Sequence, residues 1–585
     1  MRKIVLIVIM LFLSLTVSAQ PTQDNTGAHA RSAVTIEITG LSSEMLNAAE
    51  GSLSIFLQRD HPLLNAGLVQ QLHAKAPAEL RHALQPFGYY RPQITTQLDQ
   101  TSDGWIARYD VELGDPVRVR AVEIEISGPG ASEDVLRRWR AEFPLHVGDV
   151  LIHKSYDDAK QDLLDAARDL GYFAGRLERH EIVVDLRSYR ATIHLEYTTG
   201  PRYKFGPVSF EQDAFAEEFL RRFLRFHQGE PYEVAKLLEL QRGLSDSDYF
   251  DYVQVEPQIA ASRDEEVPIR VTLAPRKRLR YDVGIGYTTD TGPRGTLGFQ
   301  NRRVNSYGHH FGIVLQDSQI GSSATATYLI PLQRPLTDSL TYSAGWVDED
   351  TDTLERTTSS LNADITRSHG PWQRGIGIGY EHERDYFPSS FDSTLLIPRT
   401  SWQRLWGGSR IHTRNGALFS AELRGAAEGI LSDTSFLQIR TSGKLIEGLS
   451  SRGRVLLRAQ AGASWVAAFG ELPGSQRFFT GGDQSIRGYA YNSLGPTDAA
   501  GTVVGGRNLA VASIEYEYLI GEIFSTALFY DAGNAFNTGD FTVMSGAGIG
   551  FRWYMPFGAI RIDIANAITE PGRPWRLHVT MGPDL

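Results

Sequence analysis

Ser513-Ile514-Glu515-Tyr516-Glu517-Tyr518 alternates without a lapse: its even positions are apolar or aromatic, and both carboxylates fall on the odd face. Side chains on a strand point to opposite faces with a period of two, so this run has one greasy face and one polar face. The same grammar governs Arg374-Gly375-Ile376-Gly377-Ile378-Gly379-Tyr380, Arg552-Trp553-Tyr554, Ile560-Arg561-Ile562-Asp563-Ile564 and Leu577-His578-Val579-Thr580-Met581. From about Arg276 to Leu585 it replaces helical periodicity almost completely. A solvated sheet does not expose rows of Ile and Tyr, which disfavours a soluble sandwich or propeller. In lipid every backbone group needs an internal partner, so a long array of such strands closes into a transmembrane β-barrel. At about 10 residues per strand plus a turn, the segment accommodates 14, 16 or 18 antiparallel strands.

Outward from the barrel, the N-terminus has Met1-Arg2-Lys3, an apolar run from Ile4 to Leu13, and Val17-Ser18-Ala19 before Gln20. This reads as a secretory signal peptide, residues 1–19, cleaved after Ala19, because the apolar run is too short to span a bilayer as a helix. The composition has no Cys, which excludes disulfides, thiolate metal sites and a lipoprotein anchor. The net charge of −11 argues against a nucleic-acid partner. Motifs of common hydrolases and nucleotide-binding enzymes are absent, and His309, His310 and His382 lack matching ligands in the sequence, so no catalytic residue, metal or cofactor is expected.

Between Val34 and Pro275 strands alternate with amphipathic helices, and an aromatic pair recurs: Gly88-Tyr89-Tyr90, Gly171-Tyr172-Phe173 and Asp248-Tyr249-Phe250. Each unit opens with a strand, as in Val34-Thr35-Ile36-Glu37-Ile38, Val122-Glu123-Ile124-Glu125-Ile126 and Pro207-Val208-Ser209-Phe210, and reads β-α-α-β-β. The Gly is placed where a helix ends in a left-handed residue, a conformation that Asp248 tolerates less well. The expected divisions are 33–115, 116–199 and 200–275 for the three repeats and 276–585 for the barrel.

Arg477-Phe478-Phe479-Thr480-Gly481-Gly482-Asp483-Gln484-Ser485-Ile486-Arg487-Gly488-Tyr489 is too rich in Gly for a strand and carries an isolated Arg. It resembles the long loop of the outer-membrane assembly factor superfamily, whose Arg-Gly-Phe/Tyr motif folds back into the lumen. That resemblance implies that Gly482, Arg487, Gly488 and Tyr489 form a lumen lock with inward carboxylates, Glu515 and Asp531 being the best placed; alternation sets both on the polar face independently. Val283 to Arg294, Asn305-Ser306-Tyr307-Gly308-His309 and the ending Gly582-Pro583-Asp584-Leu585 are similar to the TamA family within it, as is the number of repeats, which would then be polypeptide-transport-associated (POTRA) domains.

The resemblance implies sixteen strands, three α+β POTRA domains in the periplasm, and a weak lateral seam between the first and last barrel strands. The seam would pair about Arg280–Thr289 with about Arg576–Gly582, involving Val283, Ile285, Tyr287, Leu577, Val579 and Met581. It further implies insertion of autotransporter-type barrel proteins by strand addition at that seam, with a TamB-like inner-membrane-anchored partner at the first POTRA domain, unfolded outer-membrane clients and outer-membrane lipid. A passive secretion pore and a trans-periplasmic tether are the competing functions, and an outer-membrane hydrolase is a remoter one.

Overall fold

The computed structural model describes residues 34–61, 64–102, 104–387, 390–407, 412–556 and 558–582. The expected signal peptide and Pro583–Leu585 lie outside the described residues. The fold divides into two compact units at Tyr203/Lys204.

The first unit holds two copies of one motif. In the first copy β1 (Val34–Thr39) runs parallel to β3 (Gly104–Glu112), and β2 (Gln93–Thr101) runs antiparallel on β3's other side. β4 (Arg118–Ser127), β5 (Arg176–Asp185) and β6 (Arg190–Thr198) repeat that arrangement, with the last strand again central. The long helices Ala66–Leu84 and His153–Asp169 contribute apolar stripes, Leu72, Ala76 and Leu80 in one and Tyr156, Leu163 and Ala167 in the other, to the cores. Asn65 starts the first of these helices by accepting the Leu68 N–H at 2.9 Å.

The second unit opens with a third copy, β7 (Lys204–Glu211), β8 (Phe250–Pro257) and β9 (Glu266–Pro275), in the order β7-β9-β8. The β-α-α-β-β reading holds in the second and third copies, and the first differs by an added one-turn helix, Ser54–Leu57, between its two longer ones. Gly88 (φ 88°), Gly171 (φ 87°) and Asp248 (φ 61°) occupy the same left-handed position. Asp248 keeps that conformation because its carboxylate binds Arg276 in the linker and Arg302 in the barrel, the latter at 2.9 Å. Beside it the Tyr249 hydroxyl donates to Gly308 O (2.6 Å) and lies 2.8 Å from His310 Nε2, while His309 Nδ1 lies 2.8 Å from the Tyr328 hydroxyl. His309 and His310, which lack matching metal ligands in the sequence, are thus built into the joint between the third copy and the barrel.

Sixteen strands follow among the described residues: β10 (Leu279–Thr288), β11 (Gly292–Asn301), β12 (His310–Ser318) and β13 (Gly321–Pro331). Next come β14 (Asp338–Asp350), β15 (Glu355–His369), β16 (Trp372–Phe387) and β17 (Phe391–Trp406). β18 (Gly416–Ala426), β19 (Phe436–Gly448), β20 (Gly453–Val466) and β21 (Asn508–Ile520) lead to β22 (Phe524–Phe536), β23 (Met544–Met555), β24 (Gly558–Ala567) and β25 (Trp575–Gly582). Each pairs antiparallel with the next. Alternation reads the faces correctly: Ile514, Tyr516 and Tyr518 point outward, whereas Glu515 and Glu517 are buried in the interior. Among the described residues no ladder joins β10 to β25, so the sheet curls into a barrel that is closed everywhere except at this seam.

Candidate functional site: the lumen loop and the seam

Residues 467–507, between β20 and β21, cross the lumen and attach to opposite walls. On one side β16 offers three inward acids two residues apart: Glu381 Oε2 accepts from Gln476 Nε2 (3.0 Å), Glu383 Oε1 from Ser475 N (3.0 Å) and Asp385 Oδ2 from Gly474 N (3.2 Å). On the other side lies Arg487, buried. Its Nε and Nη2 donate to the two oxygens of Asp531 (2.7 and 3.0 Å), and Nη1 donates to Glu515 Oε2 (2.7 Å) and Asp563 Oδ2 (3.1 Å). The guanidinium stacks on Phe529 with its carbon 3.4 Å from the ring centroid. This is the bidentate fork geometry that Arg provides and Lys does not.

The structure brings together Arg487, Glu515 and Asp531 as expected, and adds Asp563 and Arg552. Arg552 Nη2 donates to Glu515 Oε1 and its Nη1 to Asp563 Oδ1, both at 2.6 Å. Arg454 Nε donates to Glu517 Oε2 (2.6 Å), so cations and anions alternate across neighbouring strands and no buried charge in this chain of pairs is left alone. Gly488 adopts φ 101°, and a Cβ there would lie 2.9 Å from Ala567 N. Tyr489 is buried, its hydroxyl 2.7 Å from Thr569 Oγ1.

The loop tip also reaches the seam, through residues that the motif reading did not single out. Asp483 N donates to Asp290 Oδ2 (2.6 Å), the Thr289 hydroxyl donates to Asp483 Oδ1 (3.1 Å), and Asp483 Oδ1 also takes His578 Nδ1. Gly482 (φ 101°) faces the Asp290 carboxylate so closely that a Cβ would collide with it. Thr289 is the pivot: its N–H donates to Val579 O (3.3 Å), and its hydroxyl accepts the Val579 N–H (3.1 Å). Thus the first hairpin, the last strand and the loop meet at one point. Inward parity in Leu577-His578-Val579 was the available sequence signal for His578.

Below that point the seam departs from the expected pairing. β10 is paired with β11 along its whole length, from Leu279↔Asn301 to Thr288↔Gly292, but its other edge meets β25 only beyond its last residue. Val283 and Ile285, 78% and 86% exposed, and Tyr287 have no partner strand across the seam, and Leu577 and Met581 pair only with β24. The reason is stagger: Val579 lies three residues from the end of β25, whereas the whole of β10 lies before Thr289.

Asp290, Asp483 and His578 place potential ligand atoms within 4.8 Å of one another. The hydrogen bonds argue against a metal here. Gly488 N donates to His578 Nε2 at 2.9 Å, which assigns the imidazole proton to Nδ1, the atom that faces Asp483. His578 therefore donates to Asp483 and has no lone pair aimed at the cluster.

Burial, reinforced by the neighbouring Asp483, pushes the Asp290 carboxyl up to about 6. A raised carboxyl favours the folded state most below its ordinary value of 3.8, and that contribution is lost as pH rises through about 6. The expected result is that wild-type protein loses stability relative to Asp290→Asn between pH 4 and pH 7. Urea unfolding midpoints of the two proteins across that range check it, and a constant difference would refute it.

With this geometry established, the class of protein is clear: an outer-membrane β-barrel with POTRA domains on its periplasmic side. Residues 307–582 match the Omp85 superfamily domain, 35–113 the POTRA domain "TamA domain 1", and 203–276 the POTRA family described as surface antigen variable number repeat. The Omp85 superfamily match thus takes in all but the first strands of the barrel, and the first and third repeats carry the POTRA matches. It is 23% identical over 380 residues to the outer membrane protein assembly factor BamA of Nitratidesulfovibrio vulgaris, covering 61% of this chain and 47% of that one. The chain thus spans about half the length of that curated relative. In structure it resembles BamA from Haemophilus ducreyi lacking POTRA domains 1-3, with a TM-score of 0.69 at 18% identity, over 80% of this chain and 99% of the other. Its buried polar groups form a lock between the lumen loop and the barrel wall.

Proposed function

We propose that this protein inserts or translocates autotransporter-type β-barrel clients by adding their strands to the bare edge of β10. The observation that carries this reading is the seam: one strand is fully paired on one side and unpaired for ten residues on the other, beneath a latch of a few hydrogen bonds. An exposed edge offers main-chain donors and acceptors to any extended peptide, with little demand on its sequence. The match of residues 35–113 to a TamA-type POTRA domain supports a TamA-like role, with that first domain docking a TamB-like partner.

The passive pore fits the lumen poorly. The loop is tied to both walls, and the cavity beside it holds about 660 Å³ between Glu349, Arg356, Glu422, Arg424, Arg440 and Arg477. That is the size of a small-molecule pocket.

The test is a disulfide scan. A single Cys at Ile285 is paired with a series of single Cys substitutions along the terminal strand of a client arrested during assembly. Edge addition predicts adducts that recur at every second client residue. Adducts without periodicity, or formed instead from a lumen position such as Arg424, would overturn it in favour of a pore.

A further inference from the structure

The outward face of the barrel carries arginines in one sector. Arg367 on β15 and Arg374 on β16 lie directly opposite each other, and Arg404 on β17 is opposite Trp372 and two residues from Trp402, which is itself opposite Arg374. Each is two residues in from the end of its strand at the turns His369–Trp372 and after Trp406. These ends are periplasmic, because β10 enters the barrel from the POTRA side and the strands alternate in direction. Two residues are about 7 Å of strand, so the three guanidinium groups lie close to the periplasmic rim, where aromatic belts and headgroups meet in barrels of this kind.

Like charges directly opposite on paired strands repel. A fourth outward arginine, Arg384 at the far end of β16, meets that problem with a carboxylate, Asp392, at 2.8 Å. Among the described residues Arg367, Arg374 and Arg404 have no such ion pair. Asp338, opposite Arg367, accepts instead from Thr337 (2.8 Å). Arg404 is held in place by two indoles, its guanidinium carbon 5.2 Å from the Trp372 ring and 4.1 Å from the Trp406 ring, and its Nε is buried without a hydrogen-bond partner. Phe419, opposite Arg404, packs edge-on against Trp372. An aromatic belt needs no arginine for itself: the equivalent rim of β22 and β23 stacks Phe524 on Phe551 and Trp553 with no outward cation among them.

We propose that this sector binds the phosphate of an anionic phospholipid headgroup, with Arg367, Arg374 and Arg404 as donors and Trp372, Trp402 and Trp406 against the glycerol and upper acyl chain. The patch lies about half-way round the barrel from the seam, so a bound lipid anchors the wall that does not open.

The experiment is native mass spectrometry of the full chain released from mixed micelles of phosphatidylglycerol and phosphatidylcholine. Wild type is expected to retain phosphatidylglycerol preferentially. Arg367→Gln/Arg374→Gln/Arg404→Gln is expected to lose that preference by up to about a hundredfold, and the single Arg404→Gln by about fivefold, at roughly one surface cation's worth each. The Lys triple variant, which keeps the charge, should recover much of it, and heat-modifiable gel mobility confirms a folded barrel. If the Gln triple variant does not fold, the single variants carry the comparison. Equal retention by wild type and the folded variants, no preference in wild type, or displacement of the lipid by millimolar inorganic phosphate would each overturn the proposal, the last by assigning the patch to free anions.

Discussion

Arg487→Ala is expected to lower barrel stability by about 3–5 kcal/mol, the usual result of removing one partner from a buried ion pair. Asp531, fully buried, would keep the residue-487 backbone N–H at 3.1 Å and Arg458 at 3.6 Å but lose both of its bonds to the Arg487 guanidinium. Glu515 and Asp563 would keep Arg552 and be perturbed less. Arg487→Lys should recover part of the loss, because an ammonium carries the charge without the fork that spans Asp531, Glu515 and Asp563. Pairing Arg487→Ala with Asp531→Asn should cost less than the sum of the two single changes, since neither charge is then stranded. Equilibrium unfolding in urea, followed by heat-modifiable gel mobility, measures all four proteins. A deficit under about 0.5 kcal/mol for Arg487→Ala, the range of ordinary surface changes, would mean that the loop is held by its β16 contacts instead.

The second large effect concerns the seam. Thr289→Cys/Val579→Cys is expected to form a disulfide where the residue just past β10 is hydrogen-bonded to β25, and to stop surface display of an autotransporter passenger until a reductant is added. The chain has no Cys of its own, so the engineered pair is the only bridge that can form. The structure moves the lock from the expected neighbourhood of Val283 to Thr289, because β25 runs only three residues past Val579. Thr289→Cys removes the hydroxyl that accepts the Val579 N–H and donates to Asp483, whereas Val579→Cys leaves the latch intact because Val579 joins it through its backbone; both serve as controls, since each should still support display. Display that persists with a quantitatively formed bridge would remove lateral opening from the mechanism and leave the POTRA domains as the functional part.

Much of this architecture is legible along the chain, for one physical reason: a β-strand turns its side chains with a strict period of two. Ser513–Tyr518 therefore declares which face of β21 is wet, and with it the direction of Glu515. The repeat β-α-α-β-β is equally local, because Gly88 and Gly171 end helices in a conformation that side chains resist. Asp248 reads locally as a flawed copy of those glycines, yet in the fold its carboxylate holds Arg276 and Arg302. No neighbour in sequence announces that pairing, which spans 28 residues in one case and 54 in the other.

The sequence by itself determined the barrel, its inward and outward faces, the three repeats before it, and the direction in which Glu515 and Asp531 point. Only the tertiary structure decided which inward charges meet. Alternation assigns a face but no height, and Arg487 reaches Asp563, 76 residues away, because the stagger of the sheet brings the acids of β21, β22 and β24 to one level. The bare edge of β10 has the same origin, since whether two strands pair is a property of their relative stagger, which closure of the whole sheet imposes and neither strand encodes alone.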